Sequence, residues 1–131
     1  MIGLDTNVLI RYIAQDDAVQ SPRAVKLIEN ECSSENPGFV GLITLAELVW
    51  VSETCYNASR TDVAVLIRRL LSIKQLVVQE AEVVWKALRE FEDGKADFSD
   101  HLVEKIAAAQ GCEHTFTFDK TAARAGMLLL K

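Results

Sequence analysis

Cysteine, histidine and proline are scarce in this 131-residue chain: three, two and two. Cys32, Cys55 and Cys112 are odd in number and form no Cys-x-x-Cys, which excludes a disulfide framework and a thiolate zinc site. They read as buried free thiols. His101 and His114 stand far apart, with no His-x-x-x-His spacing to hold zinc on a helix face. Long apolar runs are missing too. The uncharged run from Gly38 to Ala46, which only Asn36-Pro37 extend, is far too short to cross a bilayer, and no basic segment precedes an apolar run at the start. A cytoplasmic protein with no membrane partner is expected. Positive charge is in deficit, with 14 basic against 19 acidic residues and a net charge of −5. That balance excludes a protein whose main task is coating a polyanion. It leaves open a nucleic-acid enzyme whose acids share a divalent ion, because the ion then becomes the dominant local charge.

Half of the chain is apolar and a quarter charged, and the length suits one domain, residues 1–131. Short apolar runs alternate with longer amphipathic segments, the pattern of an α/β fold in which parallel strands are joined by crossover helices. Strands are expected at Ile2–Leu4, Phe39–Ile43, Leu76–Val78, Thr115–Phe118 and Met127–Leu130, giving a central parallel sheet of about five strands flanked by helices. A first helix should run from Asn7 to about Ala14. Ser21-Pro22 reads as cap and first residue of a second helix reaching Cys32. Thr44 opens a third, and Val63 to Leu71 and Glu80 to Phe91 follow at helical spacing. Phe98 to Gln110 reads as a helix closed by Gly111, and Thr121 to Ala125 as a short one.

Acids recur where strands end and helices begin. Asp5 closes the first apolar run. Glu47 stands in Thr44-Leu45-Ala46-Glu47, a spacing that serves a capping box or directs a carboxylate toward the sheet edge. Asp97 suits the cap of the helix from Phe98, and Asp100 its third position, where the dipole alone would favour an acid. Asp119 ends Thr115-Phe116-Thr117-Phe118, with the Thr117 hydroxyl on the same face to hold its carboxylate, or it caps the helix that follows. A parallel sheet would gather these positions on one side. Unit charges about 4 Å apart repel by roughly 4 kcal/mol at an effective dielectric near 20, so such a cluster needs a cation or shared protons. Oxygen-only donors favour Mg²⁺ or Mn²⁺ over zinc.

Asp5-Thr6-Asn7, Thr44-Leu45-Ala46-Glu47, Ala96-Asp97-Phe98-Ser99-Asp100 with Ile106-Ala107-Ala108-Ala109 and Gly111, and Thr117-Phe118-Asp119 together resemble the PIN-domain ribonucleases. More narrowly they resemble the VapC-type toxins of bacterial toxin–antitoxin pairs. The resemblance spans nearly the whole chain. It implies a Mg²⁺- or Mn²⁺-dependent endoribonuclease in which Asp5, Glu47, Asp100 and Asp119 match the four acidic positions and hold the metal. Asp97 is then an accessory acid or a helix cap. Thr6 and Thr117 match hydroxyl positions that orient ligands or water, and Asn7 is accessory. The implied reaction is in-line attack of a metal-activated water on an RNA phosphodiester. The implied partners are the RNA substrate, a cognate antitoxin and a second copy in a homodimer.

Arg11 and Lys120, each close behind an acidic strand end, are the best-placed cations for RNA. Trp50, between Val49 and Val51, reads as core or as part of an apolar groove. A haloacid-dehalogenase-like phosphatase would need an acid two residues after Asp5, where Asn7 stands. The remaining rival is a catalytically silent binding module whose acids only cap helices.

Overall fold

A computed structural model describes residues 1–131. The five strands are β1 (Ile2–Gly3), β2 (Gly38–Val40), β3 (Leu76–Val78), β4 (Phe116–Thr117) and β5 (Leu128–Leu129). The helices are α1 (Thr6–Ala14), α2 (Gln20–Val25), α3 (Leu42–Cys55), α4 (Arg60–Ser72), α5 (Ala81–Asp93), α6 (Phe98–Ala109) and α7 (Lys120–Ala123). The α/β class and the parallel pairing agree with the sequence pattern. The single five-stranded sheet does not form: β1-β2-β3 make one parallel sheet and β4-β5 a separate parallel pair. The strands are two or three residues long, so each ladder carries few hydrogen bonds.

The chain divides into two compact units, one of residues 1–59 and 69–79, the other of residues 60–68 and 80–131. In the first, β2 lies between β1 and β3, in register Ile2 with Gly38 and Gly38 with Leu76. A Cβ at Gly38 would meet Leu4 Cδ1 at 2.7 Å and Leu76 Cδ2 at 3.0 Å, so any larger residue there would make the ends of these two buried leucines shift. Leu9, Ile10 and Tyr12 of α1 and Leu45, Leu48 and Val49 of α3 complete this core. Helix α2 starts one residue before Ser21, because the Asp17 carboxylate accepts from the Val19 and Gln20 amides at 2.9 and 2.7 Å. Ser21 is therefore no cap. It is buried and donates to the Arg11 carbonyl at 2.8 Å. The helix runs on through a wider i→i−5 turn over Lys26–Glu31.

In the second unit α5 packs against α6. Phe91 and Phe98 meet edge to face at 5.7 Å, both buried. The Arg60 guanidinium lies 4.0 Å from the Phe91 ring centre and donates to the carbonyls of Phe91, Gly94 and Ala96 at 2.8, 3.1 and 2.9 Å. It satisfies the frayed end of α5 and the turn into α6. A lysine ammonium cannot reproduce that planar fork. Arg60→Lys is expected to lower unfolding stability by about 1–3 kcal/mol, read by urea denaturation. Gly111, at φ 96°, closes α6 as anticipated: its amide bonds to the Ala108 carbonyl and the Cys112 amide to that of Ala107.

The burial of all three cysteines and the core alternative for Trp50 fail. Cys32 is buried, but Cys55 and Cys112 are exposed, since each lies at or just past a helix end. Trp50 is 63% exposed while Val49 beside it is buried. α3 is apolar nearly all round, so periodicity could not tell its covered face from its open one.

Candidate functional site

In the first unit, Asp5 occupies the cap position of α1 with extended backbone, yet its side chain makes no capping bond and is exposed. Its backbone carbonyl takes the first helical bonds, and the carboxylate is left free. Thr6, next along, is buried, and its hydroxyl donates to Glu47 Oε1 at 2.8 Å. The capping box expected of Thr44 and Glu47 does not form. α3 begins two residues before Thr44, with Gly41 as cap, and the Gln79 side chain accepts from the Leu42 amide at 2.9 Å. Glu47 is thereby released from capping, and Thr6 fixes its rotamer from α1. Asn7 is exposed and lines a cleft of ≈ 270 Å³ with Arg11, Gln20, Arg23 and Leu27 among its walls. Arg11 is engaged there: Nε donates to Gln20 at 2.8 Å and an NH group pairs with Asp16 at 3.2 Å.

In the second unit, Asp97 stands at the cap position of α6 and Asp100 at its third helical residue, as the sequence suggested. Asp97 makes no side-chain capping bond. Burial, then the negative charges of Asp97 and Asp119, push the Asp100 carboxyl above its ordinary value. No lysine or arginine pairs with Asp100. Asp119 caps α7 by accepting from the Thr121 amide at 2.8 Å. The Thr117 hydroxyl, expected to hold the Asp119 carboxylate, accepts instead from the Asp119 amide at 3.0 Å, so it fixes the backbone of that acid. Lys120 is exposed and has no ion-pair partner.

His101 follows Asp100 but turns inward. It is 2% exposed, packs edge-on against Phe91 at 6.4 Å, and neither ring nitrogen has a partner. Burial, reinforced by the Arg60 charge, holds its pKa below the ordinary value, so it is neutral in the folded protein. The unfolded chain takes up this proton first. The depressed pKa therefore leaves stability intact above about pH 6.5 and removes it as pH falls below. His101→Phe deletes both orphaned nitrogens. In chelator the variant is expected to match or exceed the parent in melting temperature at pH 8, and to gain on it at pH 5.

The donor set is entirely carboxylate and hydroxyl oxygen, which suits a hard divalent ion. No three His, Cys, Asp or Glu side chains are assembled in ligating geometry. Mg²⁺ commonly keeps several waters and takes only one or two carboxylates, so sparse ligation is compatible with that ion. Asp100, half-buried and with no ion-pair partner, is the acid of this set that best suits such an ion. Arg60, which ties down the turn leading to Asp97, was not legible in the sequence, because its partners are backbone carbonyls 31 to 36 positions away.

No helix is long and apolar enough to cross a membrane. No curated protein and no solved structure matches the chain. The sequence model of one family, the PIN domain, matches residues 2–127.

Proposed function

The chain belongs to the PIN domain family, a nuclease-type fold, and from that premise we propose that it is a Mg²⁺- or Mn²⁺-dependent endoribonuclease, the toxin of a VapBC-type toxin–antitoxin pair. Asp5, Glu47, Asp100 and Asp119 are its metal-holding acids, with Asp97 and Asn7 accessory. The observation that carries the reading is the match of the PIN domain model to residues 2–127. It is supported by Asp100, a half-buried acid with no ion-pair partner, whose carboxyl is pushed above its ordinary value by burial and then by the charges of Asp97 and Asp119.

A bound Mg²⁺ or Mn²⁺ would polarise a phosphoryl oxygen and activate a water as nucleophile. The chain's own residues position that chemistry. Thr6 holds Glu47 Oε1 and leaves Oε2 without a protein partner. Thr117 fixes the backbone at Asp119, and the Thr121 amide fixes one carboxylate oxygen of that residue. His101, neutral and buried, takes no part as acid or base. Lys120 is free to meet a substrate phosphate. Arg11 can do so by exchanging Asp16 for phosphate.

Protein partners, a cognate antitoxin and a second copy, belong to the same proposal. Ile43 and Trp50, 82% and 63% exposed and seven residues apart on α3, offer an apolar face for one of them. The test is incubation of the purified protein with structured RNA in Mg²⁺, Mn²⁺ or chelator, beside Asp5→Asn. Cleavage that needs the ion and is lost in the variant supports the reading. Metal-independent cleavage surviving in Asp5→Asn overturns it. Absence of cleavage under every condition points to the silent binding module, and hydrolysis of a small phosphomonoester alone to the phosphatase.

A further inference from the structure

His114, Phe116 and Phe118 are exposed and alternate with the half-buried Thr115 and Thr117. Of the three rings only Phe116 lies in β4, with His114 just before the strand and Phe118 in the bend after it, and the alternation of exposure puts all three on the side away from the two threonines. Phe116 is 60% and Phe118 80% exposed. The centroids of His114 and Phe116 lie 6.3 Å apart with planes at 63°, an edge-on contact and not a stack, and most of the Phe116 ring stays open to solvent. The stripe leads straight into Asp119 and then Lys120. Lys120 and Arg124 stand four apart and are exposed, and neither has an ion-pair partner.

From this juxtaposition we infer that the exposed face of β4 is a stacking platform for single-stranded RNA, Phe116 and Phe118 holding unpaired bases while Lys120 and Arg124 meet the phosphates. Aromatic faces accept any base, and unpaired bases are the ones free to stack. Leu128, in register with Phe116, and Leu130 beyond it are also exposed and widen the apolar floor. A protein partner could use that floor. The two unpaired cations, Lys120 and Arg124, favour the polyanion.

The inference rests on the nuclease reading for its choice of ligand, and its test separates the two. Affinity for a mixed-sequence 12-nucleotide RNA and for the same RNA annealed to its complement is measured in chelator, where metal-dependent cleavage cannot occur. Preference for the single strand is expected. Phe116→Ala and Phe118→Ala should each weaken single-strand binding about tenfold, and Phe118→Trp should retain it. Equal affinity for the duplex, no RNA binding, or alanine variants that bind like the parent would each overturn the inference. Alanine variants that keep RNA affinity but change the solution mass would reassign the face to protein contact. Cleavage in Mn²⁺ is assayed in parallel. If the parent cleaves and both alanine variants bind RNA normally, the platform fails while the nuclease stands. If binding depends on the phenylalanines but nothing is cleaved, the nuclease reading fails and the platform stands.

Discussion

Asp100→Asn is expected to abolish metal-dependent cleavage of RNA, by at least about 10²-fold, in a protein that stays folded. The amide keeps the shape of the side chain and its place at the third residue of α6. It removes the negative charge on which a hard cation depends. In the metal-free protein that charge is a burden, since the side chain is half-buried and faces the charges of Asp97 and Asp119. Removing it relieves repulsion. In chelator the variant should therefore melt at the same temperature as the parent or higher.

Adding Mn²⁺ should reverse the order. The parent gains stability by mass action, because the ion binds the folded chain preferentially, whereas the variant gains little. The two readouts move in opposite directions and need no knowledge of the natural RNA target. A variant that unfolds would make Asp100 a structural residue. A variant that still cleaves at the parent's rate would remove it from the metal-holding acids.

The sequence located Asp100 because its helix is locally determined. An extended residue precedes it, Phe98 and Leu102 supply the apolar face, and Gly111 ends the helix in the left-handed conformation. Strand-end positions for Asp5 and Asp119 were legible for the same reason, each lying directly after a short apolar run. Failures occurred where a distant group competes with a local one. Thr44 and Glu47 have capping-box spacing, but the Gln79 side chain, 37 residues away, receives the Leu42 amide and moves the start of α3 forward. Ser21 lost its cap role to Asp17, which reaches two amides at once. The expected strands are also shortened, residues that pattern as strand ending up with only two or three ladder positions each, and they pair as three and two.

Phe91 shows how much of the second unit hangs on one such tertiary contact. Phe91→Ala is expected to cost about 3–5 kcal/mol in unfolding free energy, a large share of the roughly 5–15 kcal/mol that holds a domain folded. The ring is 2% exposed, and three partners use different parts of its surroundings: Phe98 at 5.7 Å, His101 at 6.4 Å and the Arg60 guanidinium at 4.0 Å. Truncation leaves a cavity beside a histidine whose nitrogens already lack partners, and strips the aromatic surface from under Arg60. Phe91→Leu retains most of the volume and should cost less, about 1–1.5 kcal/mol. Because Arg60 both stacks on the ring and donates to the Phe91 carbonyl, Phe91→Leu and Arg60→Lys should not add. A double-mutant cycle in urea should give a coupling energy of about 0.5–2 kcal/mol. Strict additivity would mean that Arg60 is held by its carbonyl partners alone and that the ring contributes only volume.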